Sequence, residues 1–182
     1  LPGESGGTAR LVFTAHSIPS AMNDVSGPAA DGRYAAQHRE TARLVAEAVR
    51  GAGAEFDLVW QSRSGPPAVP WLEPDINAHL RALAAQGVRA VVVTPSGFVS
   101  DHVEVRWDLD VEARDTARSV GLQYARAGTV GTHPAFVRAI RELVEEHLRG
   151  NPPSTLSPLG ITGFECPPGC CPAPARPAAA AS

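Results

Sequence analysis

Four side chains in this sequence have the types and the spacing to handle a proton and a cation. His16 ends the compact apolar run of Arg10–Ser17 (RLVFTAHS). An imidazole takes or gives a proton near neutral pH and can ligate a borderline metal through one nitrogen. A histidine that only caps a strand end is the plain alternative. Glu104, Asp108 and Glu112 follow one another at intervals of four. On a helix they stack on one face, a turn apart. Like charges at that spacing repel, so the row costs stability unless a cation uses it. A ladder of hard oxygen ligands leading to a histidine would pass a divalent cation along without caging it. A solvated acidic stripe is the alternative. No segment has the ligand spacing of a structural zinc site.

Other candidates surround these four. Arg63, Gly65, Pro66 and Trp71 share one Pro-rich stretch, and Gly97, Phe98, Ser100, Asp101 and His102 share another just before Glu104. Trp71, Trp107, Phe98 and Tyr34 could line a flat apolar pocket or simply pack in the core. Arg33 and Arg63 could pair with substrate carboxylates, or stand on the surface as ordinary arginines. Neither GxGxxG nor GxxxxGK(S/T) occurs, so a phosphate cradle has little support.

The elements that must hold these residues read as a repeat. Apolar runs at Arg10–Ser17, Phe56–Gln61, Ala90–Thr94 and Leu122–Ala127 predict four strands. Amphipathic stretches at Tyr34–Val49, Glu73–Gln86, Val103–Val120 and Pro134–Leu148 predict four helices, most followed by glycine. Ile18–Arg33 reads as a long loop. Alternating strand and helix, with Val- and Leu-rich strands, argues an α/β fold: a parallel four-stranded sheet flanked by helices in a Rossmann-like three-layer sandwich. Ligands of such folds bind beyond the C-terminal strand ends, where His16, Arg63 and the Gly97–Glu104 loop converge. The organisation expected is one domain over residues 1–150 and a Pro/Ala-rich tail over 151–182, disordered from about Pro172.

Composition narrows the class. The chain has 182 residues, 16 Lys+Arg against 19 Asp+Glu, and a formal charge of -3, which argues against a nucleic-acid partner. No apolar run approaches a membrane span, and the start (LPGESGG) has neither the basic nor the apolar region of a signal peptide. It also lacks Met, which suggests a piece of something longer. A cytoplasmic protein is expected. The three cysteines, Cys166, Cys170 and Cys171, crowd near the end rather than spreading as a disulfide framework would.

Three long blocks, VFTAHSIP, VWQSRSGPPAVPWLEPD and VVVTPSGFVSDHVEVRWDLDVEA, resemble signature blocks of the ferrochelatase family, in the right order. The match is nearest actinobacterial coproporphyrin ferrochelatases and covers their C-terminal half. The resemblance implies a chelatase-like fold and insertion of Fe²⁺ into a porphyrin, coproporphyrin III or protoporphyrin IX, in haem biosynthesis. It implies His16 as proton acceptor or metal ligand, with Glu104 as its partner. Asp108 and Glu112 become the acidic line behind that glutamate, on a helix with π-type character. Ser62, Arg63, Trp71, Phe98, Asp101 and His102 would border the porphyrin cleft. It further implies that an N-terminal half is missing and that the chain alone has weak or no activity. Cys166, Cys170 and Cys171 resemble the C-terminal ligands of a 2Fe–2S cluster, whose fourth ligand would lie outside this chain. The competing expectations are a non-catalytic haem- or metal-binding module, the complementing half of a split chelatase, or a small chelatase for another tetrapyrrole.

Overall fold

The computed structural model describes residues 9–29 and 31–160. Strand β1 (Arg10–His16) is followed by a short helix α1 (Ser20–Asp24) and a long one, α2 (Arg33–Arg50). Then come β2 (Asp57–Gln61), α3 (Ile76–Ala85) and β3 (Ala90–Thr94). One continuous helical rod follows: α4 (Val103–Val105), a π-helical stretch (Arg106–Ala113) and α5 (Arg114–Ser119). Strand β4 (Gln123–Arg126) and helix α6 (Pro134–Arg149) are the last regular elements among the described residues. The sheet is parallel throughout, in the order β2-β1-β3-β4.

Strand alternation builds two cores. Leu11, Phe13 and Ala15 pack with Leu58, Trp60 and the buried face of α2, Ala42 and Ala46. Val12 packs on the opposite face with Val59, Val91, Val93, α3 and the helical rod, through Ile76, Leu80, Val105 and Leu109. Because successive side chains alternate, Thr14 and His16 continue the Val12 face, and Gln61 continues the Val59 face. Polarity therefore rises toward the C-terminal strand ends on the side covered by the rod.

The stretch expected as a loop from Ile18 contains α1. Met22 N–H and Asn23 N–H donate back to the Pro19 carbonyl and start the turn. The Asn23 side chain in turn accepts from Ala35 N–H at 3.1 Å, satisfying an open donor in the first turn of α2, where Gly32 offers no capping side chain. Helix α6 buries none of its residues. No helix among the described residues is long and apolar enough to cross a membrane.

Candidate active site

The chain runs from β1 outward to β2, then returns to place β3 on the other side of β1. The loops after β1 and β3 therefore diverge, and the crevice between them is the topological switch point where such sheets bind ligands. His16 leaves β1 on one side of it and Glu104 enters α4 on the other. Their side chains meet, His16 Nε2 lying 3.1 Å from Glu104 Oε1, and both remain about two-fifths exposed.

The imidazole is oriented from behind. Nδ1 sits 2.5 Å from the Ser17 carbonyl, an oxygen that can only accept, so Nδ1 carries a hydrogen. In the neutral ring this leaves the lone pair on Nε2, facing a carboxylate oxygen. Two acceptors at that distance need a proton or a cation between them to be reconciled. Ser17 is fixed by its own bonds: its N–H donates to Gln61 O and its hydroxyl to Leu72 O. The Tyr34 hydroxyl donates to the His16 carbonyl at 2.8 Å. Burial pushes the Tyr34 phenol up, which keeps it a donor.

Glu104, Asp108 and Glu112 lie along the rod, partly buried at the first two and exposed at the third. The π stretch widens the helix where Asp108 sits, the kind of insertion that recurs at functional sites. It is held open from outside. Tyr124 donates its hydroxyl to the Leu109 carbonyl at 2.9 Å, and Arg126 makes a two-pronged pair with Asp110. Burial, and then the Asp110 carboxylate, push the Tyr124 phenol well up; Arg126 holds the Asp110 carboxyl below its usual range. Asp108 accepts from the Gln61 amide at 3.1 Å and from the Ser62 hydroxyl. Among the described residues no three His, Cys, Asp or Glu side chains converge as a cage.

The remaining candidates divide. Trp71 is held beside the loop after β1 by a bridge to Pro19, and its indole N–H is buried without a hydrogen-bond partner. Arg63 donates to the carbonyls of Pro67 and Val69, closing its own loop. Asp101 pairs with Arg126 at 2.8 Å. His102 caps α4 by accepting from Val105 N–H, and its ring meets Phe98 edge-on. Asp101 and His102 thus hold the start of the rod, just before Glu104. Arg33 donates to Leu159 O, and Trp107 is more than half exposed. Thr14, Gln61 and Arg126 were absent from the candidate set. Their signal in the sequence was faint: polar residues on an otherwise apolar strand face. Cys166, Cys170 and Cys171 lie outside the described residues. The sequence holds three cysteines in all, one short of a four-thiolate donor set.

With this geometry in place, comparison with known proteins is specific. The ferrochelatase family model matches residues 2–148. The coproporphyrin III ferrochelatase of Nocardia farcinica is 54% identical over 187 residues, covering 99% of this chain and 53% of the relative. That of Streptomyces coelicolor is 49% identical, covering 99% of this chain and 52% of the relative. The chain spans about half the length of these curated relatives. A solved structure of a CbiX protein of cobalamin (vitamin B12) biosynthesis from Marinobacter aquaeolei VT8 aligns with a TM-score of 0.53 at 19% identity. It covers 79% of this chain and 100% of that one, a likeness of fold.

Proposed function

The chain belongs to the ferrochelatase family, and from that premise we propose that it supplies the base and the carboxylate row for inserting Fe²⁺ into a porphyrin, with coproporphyrin III as the substrate. The reading rests on one observation above the rest: His16 Nε2 and Glu104 Oε1, 3.1 Å apart across the switch point. A free-base porphyrin carries two N–H protons in the hole the metal must enter. His16 Nε2 accepts one pyrrole proton as Fe²⁺ arrives, and Glu104 takes it on. The second follows the same route once the first has left through the carboxylates. Four Fe–N bonds replace two N–H bonds, and two protons go to solvent. Asp108 and Glu112 hand over the ion with its water shed stepwise, each holding it less tightly than the pyrrole nitrogens do.

We place this catalytic unit in residues 1–150, with 151–182 as an appended tail. The slot for the macrocycle is completed by the half of the fold that the relatives carry and this chain does not span. That half covers the strand ends and the exposed face of α6, formed by Val137, Ile140, Val144 and Leu148.

Co-expression of this chain with the remaining half of the Nocardia farcinica relative tests the reading. Anaerobic metallation of coproporphyrin III, followed by absorbance, is expected from the pair and at most weakly from the chain alone. Protoporphyrin IX should be metallated more slowly. His16→Ala should lower the rate about 10²-fold or more, the usual size of a lost general base. An unchanged rate in that variant defeats the assignment.

A further inference from the structure

Asp108 is held in an unusual way for a carboxylate meant to let go of a cation. Its Oδ2 accepts two hydrogen bonds, from the Gln61 side-chain amide and the Ser62 hydroxyl. No hydrogen bond among the described residues reaches Oδ1. Asp108 borders a pocket of about 170 Å³ that Glu112, Asp75 and Asn77 also line. Gln61 is 1% exposed, and its Oε1 accepts from the Thr14 hydroxyl at 2.9 Å, with Thr14 fully buried. A carboxylate only accepts, so the Gln61 NH₂ must face it; the amide oxygen then faces Thr14, which must donate. The donation runs one way, Thr14 to Gln61 to Asp108.

Ser62 adds an independent sign. Among the described residues it is the non-glycine residue with positive φ, at 62°. A side chain there costs roughly 1 kcal/mol that glycine would avoid. The strained backbone aims its hydroxyl at Asp108.

We infer that Gln61 and Ser62 are positioning residues that loosen the grip of Asp108 on a passing divalent cation. Two donors on Oδ2 draw charge from the carboxylate and leave one oxygen, not a chelating pair, to meet the ion. Thr14 locks the amide in the orientation that does this. The inference rests on the reading of Asp108 as a station on the iron path.

Titration of the full chain with Co²⁺ alone, read by calorimetry, tests it without needing turnover. Ser62→Gly and Thr14→Val should each tighten Co²⁺ binding by about two- to tenfold, the worth of one hydrogen bond. Thr14→Ser should restore the parent value. Adding Asp108→Asn to Ser62→Gly should erase the gain. Ser62→Gly should melt no lower than the parent, since strain is relieved, so it decides the matter if Thr14→Val folds poorly. Unchanged or weaker binding in Ser62→Gly overturns the inference. If Asp108→Asn alone binds Co²⁺ as the parent does, the iron-path reading falls and the inference with it. If Asp108→Asn weakens binding and Ser62→Gly leaves it unchanged, the inference alone falls.

Discussion

The Tyr34 hydroxyl reaches from the first turn of α2 to the backbone carbonyl of His16, 2.8 Å away. Its ring stacks on Trp60 with centroids 5.9 Å apart, so it is braced on the sheet it serves. The carbonyl belongs to the last residue of β1, where ladder partners run out. Tyr34→Phe keeps the stacking and removes the donor. The expected loss is about 1 kcal/mol of stability, the usual net worth of such a bond. In the complemented pair, metallation should fall about three- to tenfold, because the proposed base, His16, loses a constraint on its position. Urea midpoints and initial rates check the two effects separately. A variant as stable and as active as the parent would show that water replaces the hydroxyl.

Gly97 sits where a side chain has no room. A Cβ there would lie 2.5 Å from Ala15 Cβ and 2.7 Å from Ala15 Cα. Its N–H donates to the Thr14 carbonyl at 3.0 Å, which draws the loop after β3 against β1. Gly97→Ala must push that loop outward, and the loop leads directly to Glu104. Destabilisation of about 3 kcal/mol is expected, the upper end of what overpacking costs. Thermal melting checks it; a shift of less than 2 °C would mean the loop moves freely.

The strand and helix pattern was legible because apolar periodicity is a local property. Val12, Val59, Val91 and Val93 on one face, with Leu11, Phe13, Leu58 and Trp60 on the other, announce a sheet covered on both faces, and the structure has it. The meeting of His16 with Glu104 was legible only through the resemblance, since 88 residues separate them and strand order decides who faces whom. The strand order itself left no local mark. Thr14 and Gln61, and the bond from Ser62 to Asp108, escaped notice for another reason. Their roles depend on which rotamer faces which neighbour, and no spacing encodes that. Asp101 is grouped with the cleft through the resemblance, and its pairing with Arg126 on β4 depends on the strand order in the same way.

Acid should unfold the protein in two stages. Burial against Tyr34 and Trp60 lowers the His38 pKa from its ordinary 6.5. The unfolded chain therefore binds that proton first. This stability is complete above about pH 6.5 and is lost as pH falls toward the folded value. Burial would push the Asp57 carboxyl up, but Arg10 in a two-pronged bond, with His79 beside it, holds it well below its ordinary 3.8. That share is present above about pH 4 and lost only below it. Urea midpoints between pH 7 and pH 3 should fall in both windows. His38→Phe should flatten the upper one and Arg10→Gln the lower. A midpoint independent of pH from 7 to 5 would contradict the account of His38.

The apolar face of α6 is the last test, because it separates what stabilises this chain from what its proposed partner would stabilise. The helix has 16 residues, none buried, with Pro134 in its first turn and Gly150 in the left-handed conformation at its end. His133 caps its start by accepting from Ala135 N–H. Val137, Ile140, Val144 and Leu148 recur at helical spacing, and each is near half exposed or more. A face of this kind contributes little where it meets only water, since burial supplies the free energy. Val144→Asp in the chain alone should therefore change stability by less than about 0.5 kcal/mol, as surface substitutions do. In the co-expressed pair the same change should reduce recovery of the assembled complex by at least about tenfold, the cost of desolvating an unpaired charge. Gel filtration of the pair reads the second effect. Full assembly of the Val144→Asp variant would show that the second half sits elsewhere on this molecule.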